Sequence, residues 1–192
     1  MNDRRKARID RAAAFFEGGN FARARREFRA LVAESDVEGR VSAFLLLYLG
    51  LAHAELGDLA KGLDTLTAAL EADPYDARIE DARQMLCARL RACVVEWSNE
   101  GKGSSPAEAY AALARHGEAN VACHLRVAQH HLESGDPAEA NRILQGVVLL
   151  HPHECEAWSL LRRVGERRAD ERTRQEAEQM ILLLGGRRAV IA

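Results

Sequence analysis

Histidine and cysteine side chains able to bind a metal lie close together near position 150. His151 and His153 flank a proline, and Cys155 follows two residues later. Imidazole and thiolate groups are good zinc ligands. The proline lies where two helices are expected to join, however, and the sequence offers no evident fourth ligand. We therefore expect no metal site and no cofactor.

Acid–base catalysis is the second chemistry to consider, because three histidines and a glutamate fall within ten residues. Their spacing does not form the H-E-x-x-H pattern, which sets two histidines one helical turn apart beside a glutamate. His130 and His131 are adjacent, so they point to different sides of a helix. The chain also has no glycine-rich phosphate loop, Ser/His/Asp arrangement or paired-carboxylate motif. The sequence predicts a protein that is not an enzyme. The residues concerned are His124, His130, His131 and Glu133.

The composition indicates a globular protein with a core of small and aliphatic residues. The chain has 192 residues, of which 47% are hydrophobic, 29% are charged and 5% are aromatic. The net charge is −2, so nothing global suggests binding to nucleic acid. Arginines are frequent in the first thirty residues, but acidic residues alternate with them, as on a solvated helix face.

The cysteines and the apolar segments indicate in which cellular compartment the protein is expected. None of the cysteines makes a C-x-x-C pair, and we expect buried free thiols rather than disulfides. No apolar segment of a signal peptide precedes Phe15. The longest strongly apolar run, residues 43–52, is shorter than the ~20 residues of a membrane-spanning helix. We expect a cytoplasmic location. The cysteines are Cys87, Cys93, Cys123 and Cys155.

Five turn residues mark the starts of predicted helices, because their side chains can accept hydrogen bonds from the free amides of a first helical turn. Two of these starts are near duplicates, Ser105-Pro-Ala-Glu-Ala-x-x-x-Leu113 and Asp136-Pro-Ala-Glu-Ala-x-x-x-Leu144. Each has proline at the first helical position and glutamate three residues after the cap. The sequence thus contains an internal repeat. The cap residues are Asn20, Asp58, Ser105, Asp136 and Asp170.

These caps and the recurrence of apolar residues three and four apart predict ten helices in five pairs. We expect a longer link at Ser35–Arg40 and a flexible, disordered loop at residues 101–105. Gly185 and Gly186 are expected to end the last helix. The predicted helices cover residues 3–17 with 21–33, 41–56 with 59–72, 77–99 with 106–116, 120–134 with 137–150, and 154–168 with 170–184.

The second pair carries a recognisable family pattern. It reads Leu46-x-x-Leu49-Gly50-x-x-His53, then Gly57-Asp58-Leu59, Gly62-x-x-x-Leu66 and Asp73-Pro74. This resembles the tetratricopeptide repeat, W-x-x-L-G-x-x-Y…A-x-x-x-F…P. The fourth pair shares it through Ala140, Leu144 and Pro152, and the first through Phe15, Gly19, Phe21, Ala24 and Phe28. The third and fifth pairs resemble it less.

The resemblance implies an all-α fold, a right-handed solenoid of about five antiparallel helix hairpins. We expect one domain over residues 1–192, with hairpins at residues 3–33, 41–72, 77–116, 120–150 and 154–184. His53 and His131 stand where the family usually has tyrosine, and Gly62 stands where alanine is usual. These departures are expected to loosen the packing between helices.

The resemblance also implies a function, since the first helix of each pair lines a concave groove that holds another polypeptide. The expected groove is largely apolar, which favours a hydrophobic or amphipathic peptide segment. We therefore expect a protein–protein interaction module: an adaptor, a scaffold or a secretion-type chaperone. The expected groove residues are Phe16, Phe44, Leu47, Leu51, Glu55, Leu125 and Gln129.

Two points qualify this groove. The N-terminal helix can cover Phe44, Leu47 and Leu51, which would then belong to the core. Some family members hold a chaperone's C-terminal carboxylate with Lys, Asn and Arg on the concave side. Here apolar or aromatic residues occupy those positions, so a heat-shock-protein adaptor is not expected. They are Ile9, Ala13, Tyr48 and Leu125.

Self-assembly is the alternative function, because the end of the last predicted helix is apolar most of the way round. A terminal repeat is expected to be polar outside, so we predict a patch that binds a second copy or the apolar tail. An RNA-binding helical repeat is a further alternative, which the apolar inner face disfavours. The predicted patch comprises Ile181, Leu183, Val190 and Ile191.

Overall fold

The computed structural model describes residues 3–37, 42–96 and 105–191, together with the side chains of most of them. Within these ranges the chain forms ten helices and no strand, which confirms the all-α prediction. The helices are α1 (Asp3–Glu17), α2 (Phe21–Val37), α3 (Ala43–Glu55), α4 (Leu59–Ala72), α5 (Ala77–Glu96), α6 (Pro106–Arg115), α7 (Val121–Glu133), α8 (Pro137–Leu150), α9 (Cys155–Arg168) and α10 (Glu171–Ile191).

Four of the five predicted caps are made. The Ser105 hydroxyl accepts from the Glu108 amide at 3.2 Å, and the Glu108 carboxylate accepts from the Ser105 amide at 3.0 Å, which completes a capping box. Asp136 accepts from the Glu139 amide at 3.1 Å. Pro106 and Pro137 lie in the first turns of α6 and α8, as predicted. Asn20 and Asp170 cap α2 and α10 in the same way.

Asp58 is the exception, because its side chain makes no capping hydrogen bond to α4. Its carboxylate instead accepts from Arg25 on α2, with 2.9 Å between Arg25 Nη1 and Asp58 Oδ2. A charge-assisted partner competes well with a backbone amide for a carboxylate. Asp58 therefore connects the α3–α4 turn to α2.

The chain divides into two compact units, Met1–Glu118 and Ala119–Ala192. In the first unit, successive helices from α1 to α6 pack on each other, and α4 also contacts α6. Two arginines on α5 hold the unit's last residue: Arg83 and Arg91 each lie 2.6 Å from a carboxylate oxygen of Glu118. In the second unit, α7 to α10 pack in sequence and α7 also contacts α9. The expected single domain, and the solenoid as a whole, stay predictions.

Gly50 on α3 and Gly62 on α4 let these two helices approach closely. A Cβ atom at Gly50 would lie 3.2 Å from the Gly62 carbonyl oxygen and 2.8 Å from Leu66 Cγ. A Cβ at Gly62 would lie 3.1 Å from the Gly50 oxygen and 2.8 Å from a Leu86 methyl carbon. The expectation that Gly62 loosens the packing was wrong. Because glycine has no side-chain methyl group, the two helices can approach closely at Gly62. Leu66 and Leu86 fill the space around the two glycines.

Two predicted helix ends were also wrong. The structure extends α2 to Val37, beyond the predicted end at residue 33. Ser35 is buried there, where its hydroxyl donates to the Leu31 carbonyl oxygen at 2.8 Å and accepts from Arg5 of α1. The last helix likewise continues through Gly185 to Ile191. Glycine inside a helix costs only about 1 kcal/mol relative to alanine, which helix formers on either side can offset.

Some expectations fall outside the described residues or are answered only in part. Most of the loop at residues 101–105, which was expected to be disordered, lies outside them, and so do the predicted helical residues 97–99.

All four cysteines are free thiols. Cys87 and Cys123 are buried, whereas Cys93 and Cys155 are partly exposed. Burial raises the pKa of the Cys87 and Cys93 thiols, which keeps them protonated and unreactive. Every helix within the described residues is too short or too polar to span a lipid bilayer.

Gly165 allows a test of the helix packing in the second unit. A Cβ atom there would lie 2.7 Å from the backbone nitrogen of Arg174, which cannot move without shifting α10. We expect Gly165→Ala to lower the free energy of unfolding by about 1–3 kcal/mol, as overpacking does. The control is Gly146→Ala on α8, where nothing lies within 4 Å of the new atom. That change should stabilise the protein by about 0.5–1 kcal/mol. Urea unfolding followed by circular dichroism measures both. Two shifts of the same sign would contradict the close α9–α10 packing.

Candidate peptide-binding face

A cluster of aromatic rings on α1, α2 and α3 forms the most distinctive surface of the first unit. Tyr48 lies at its centre, with ring centroids 5.4 Å from Phe16, 5.4 Å from Phe28 and 4.7 Å from Phe44. Phe16 also meets Phe21 edge-on at 5.3 Å. Edge and offset contacts of this kind stabilise aromatic pairs beyond simple burial. The rings therefore hold each other in fixed positions.

The cluster is buried on the side that faces the core and partly exposed on the other side. Phe28 is fully buried in the core, together with Ala12, Ala24, Leu31 and Leu45. Phe16, Phe44 and Tyr48 pack against this core but stay only partly buried. We call the surface formed by Phe16, Phe44, Tyr48 and Leu51 the aromatic face. It is a rigid apolar surface that keeps contact with solvent.

The predicted groove residues of α3 are not equivalent. Leu51 is partly exposed and Glu55 is exposed, so both are available to a ligand. Leu47 has only 5% of its surface exposed, the placement that the core alternative predicts. Tyr48 was missing from the expected groove residues. Its position one turn after Phe44, on the same side of the helix, was the signal that could have identified it.

The predicted groove residues of the second unit lie on α7. Leu125 has 6% of its surface exposed and contributes mainly to the core. Gln129 is partly exposed, and its amide nitrogen donates to the Glu133 carboxylate at 2.8 Å. A groove role for these two residues stays a prediction.

The predicted self-association patch is described in part. Ile181 is partly buried and Leu183 is 63% exposed. Leu182, beside them, is 75% exposed, whereas Leu184 is buried. Val190 and Ile191 lie in α10 rather than in a separate tail, and their side chains are outside the described residues. The exposed leucines thus occupy adjacent positions of a continuous helix.

A second concave surface, which the sequence analysis did not predict, lies between α2, α3 and α4. It is an open pocket of ≈ 430 Å³ that we call the basic pocket. His53 forms part of its wall; His53 Nδ1 lies 3.6 Å from Asp58 Oδ2, which is too long for a hydrogen bond. Burial lowers the pKa of His53, and the nearby Arg25 lowers it further, although Asp58 opposes them. His53 is therefore neutral at pH 7. The lining residues are Arg25, Arg29, Leu49, His53, Lys61, Asp64 and Thr65.

The negative charge of Asp64, at the edge of this pocket, is already paired with neighbouring side chains. Its Oδ1 lies 2.5 Å from Arg115 Nη1 and 2.7 Å from His116 Nε2. Burial alone would raise the pKa of Asp64, but the hydrogen bonds from His116 and Arg115 outweigh it and hold the pKa below its usual range. The carboxylate thus joins α4 to the end of α6.

His151, His153 and Cys155 are the residues considered above as metal ligands. The Cys155 thiol lies 3.8 Å from the His153 carbonyl oxygen. Among the described residues, no three side chains of His, Cys, Asp or Glu are placed to hold a metal ion. His130 and His131 have ring centroids 6.2 Å apart.

Comparison with known proteins supports the resemblance found in the sequence. Residues 9–77 match the family model of the tetratricopeptide repeat. The matched segment runs from α1 to the first residue of α5 and contains both the aromatic face and the basic pocket. No curated protein matches the chain.

Solved structures of MamA match this chain over most of its length, but their backbones do not superimpose closely on it. A MamA double mutant, RS-1 ArsTM, matches with a TM-score of 0.42 and 15% identity, covering 98% of this chain and 98% of that one. Another MamA crystal structure matches with a TM-score of 0.41 and 16% identity, covering 94% and 89%. These values are too low to carry an argument about function.

Leu47 and Leu51 provide a test of where the core ends and the surface begins. Leu47→Glu buries an unpaired carboxylate, and we expect it to lower the free energy of unfolding by about 3 kcal/mol or more. Leu51→Glu, one turn later, puts the same group at a partly exposed position and should leave the far-ultraviolet circular dichroism and the midpoint of unfolding nearly unchanged. Equal destabilisation by the two substitutions would mean that Leu51 is core and the aromatic face is smaller than described.

Proposed function

Because residues 9–77 match the family model of the tetratricopeptide repeat, we propose that the protein is a non-catalytic interaction module that holds a peptide segment of another protein. The binding surface is the aromatic face of the first unit. This role fits an adaptor, a scaffold or a chaperone, which differ in the partner and not in the mode of binding.

The partly exposed aromatic cluster around Tyr48 is the observation that carries the proposal. Aromatic side chains supply large contact areas and lose little conformational entropy when a ligand binds. Here the rings of Phe16, Phe44 and Tyr48 are already fixed by contacts of 4.7–5.4 Å between centroids. A surface fixed before binding avoids the cost of ordering flexible side chains.

The chemistry of the surface selects the ligand. An apolar face of this kind takes the apolar side of an amphipathic helix or of an extended segment. Glu55 is exposed one turn beyond Leu51 at the end of α3, and no described residue forms an ion pair with it. A lysine or arginine next to the apolar anchors of the peptide would pair with this carboxylate. We therefore propose an amphipathic peptide with a flanking basic residue.

A peptide library displayed on phage and selected on the full-length protein tests the proposal. Selected peptides should carry apolar residues at helical or alternate spacing, followed by a basic residue. We expect Leu51→Glu to weaken their binding about tenfold or more, since it puts a charge among the contacts that carry most of the energy. Isothermal titration calorimetry measures the affinity.

The matched control is Leu149→Glu on α8, the same substitution at a side chain that is 81% exposed in the other unit. It should leave peptide affinity unchanged. If selected peptides bind both variants as well as the original protein, the aromatic face is not the binding surface.

Self-assembly is the second candidate, and the exposed leucines of α10 favour it. Leu182 and Leu183 are 75% and 63% exposed on neighbouring positions, whereas isolated exposed apolar residues need no explanation. Two such leucines on one helix provide a surface that a second copy can cover.

We expect the Leu182→Glu/Leu183→Glu double variant to be monomeric at concentrations where the original protein forms dimers or larger species. Charges at these positions would be buried without partners in such an interface. Sedimentation velocity over a range of concentrations measures the change. Arg167→Glu/Arg168→Glu, at exposed polar positions of α9, is the control. A single monomeric species for the original protein at every concentration would rule out self-assembly through α10.

A further inference from the structure

The basic pocket lies on the side of α3 opposite to the aromatic face. A helix turns by 100° per residue, so His53 points about 180° away from Phe44 and about 160° away from Leu51. The pocket is walled by α2 and α4, the second helices of the first two hairpins. A ligand there does not compete for the aromatic face.

The charges around the pocket are mainly positive and partly unpaired. Arg29 and Lys61 form no ion pair or hydrogen bond through their side chains within the described part of the chain, whereas Arg25 is bound to Asp58. Of the acids near the pocket, Asp58 is compensated by Arg25, and Asp64 is compensated by Arg115 and His116. Two cations are left without a counter-charge, which is a site for an anionic ligand.

The positive surface extends beyond one pocket. A neighbouring pocket of ≈ 360 Å³ shares Arg25 and Arg29 and adds Arg23 and Arg26. Arg26 and Arg29 are three residues apart and so lie on the same side of α2. Arg26 also forms no ion pair with any described residue, and Arg23 lies over the ring of Phe15, 5.8 Å from its centroid. The two pockets form a continuous row of cations that suits a ligand with several negative charges.

We propose that this row binds an acidic protein segment, rich in aspartate or glutamate, as a second docking site of the module. Separate carboxylates along a flexible chain match cations that stand on successive turns of α2. Single-stranded nucleic acid is a poorer match, since such sites combine cations with aromatic platforms on which bases stack. Among the described residues that line the two pockets there is no phenylalanine, tyrosine or tryptophan.

The test uses the full-length protein and a fluorescent peptide of alternating glutamate and serine, which has no apolar residue for the aromatic face. Fluorescence anisotropy should show saturable binding that weakens as salt is added, because exposed charges are screened. The double variant Arg29→Gln/Lys61→Gln should lose affinity by about tenfold or more. The double variant Arg167→Gln/Arg168→Gln, which removes two exposed cations from α9, should bind as the original protein does. Circular dichroism confirms that both variants are folded.

Three results would overturn the proposal. The first is no saturable binding of the acidic peptide at low salt. The second is the same loss of affinity in both double variants, which would indicate a non-specific effect of net charge. The third is preferential binding of inorganic phosphate or of a single-stranded oligonucleotide with the peptide's net charge. None of these results tests peptide binding by the aromatic face, so the two proposals can be refuted independently.

Discussion

The close contact between α3 and α4 at Gly50 and Gly62 is the constraint on which the first unit depends. A methyl group at either position would lie within 3.2 Å of the other glycine's backbone oxygen and 2.8 Å from a leucine side chain, so the neighbouring atoms would have to shift. Glycine costs helix stability in isolation, but here it lets two backbones touch and lets Leu66 and Leu86 close around them. The close α3–α4 approach sets where α3 lies, and α3 carries both candidate sites.

One helix thus presents different chemistry on two sides. Phe44, Tyr48 and Leu51 face one way as a partly exposed apolar surface, with α1 beside them. His53 faces the other way, into a pocket that Leu49 also lines and that two arginines and a lysine surround. The Arg25–Asp58 ion pair joins α2 to the turn after α3 and so fixes one wall of that pocket. We therefore propose that the same small unit recognises both an amphipathic segment and an acidic segment.

Local signals predicted the fold well, and the reasons are visible in particular residues. Ser105, Asp136 and the prolines after them fix helix starts through short-range hydrogen bonds, and these were confirmed. Asp58 does not cap α4 as predicted, because its carboxylate binds Arg25, which is 33 residues away. A local cap pattern contains no information about such a distant partner. The continuation of α10 past Gly185 was also missed, because glycine ends a helix only where the chain leaves the helical conformation.

The candidate sites were less predictable, because they depend on which side of each helix is covered. Helical spacing placed Leu47 and Leu51 together on α3, yet packing buries Leu47 and leaves Leu51 accessible. The sequence placed Tyr48 on the concave side but not among the groove residues, and the ring contacts showed that it lies at the centre of the cluster. The basic pocket could not be predicted from charge runs, since Arg29 and Lys61 lie on different helices and meet only after folding. The position of α10's exposed leucines agrees with the apolar run seen in the sequence.

Tyrosine resonances offer the most direct measurement of the central claim, that the aromatic face binds a peptide. The chain has three tyrosines, so selective labelling of the full-length protein gives three ring signals. Tyr48 lies in the face, while Tyr75 is 96% exposed beyond α4 and Tyr110 is on α6. Titration with a selected amphipathic peptide should shift the Tyr48 ring signal and produce intermolecular contacts to it, with Tyr75 and Tyr110 unchanged. A saturable peptide complex in which the Tyr48 signal does not move would contradict the account.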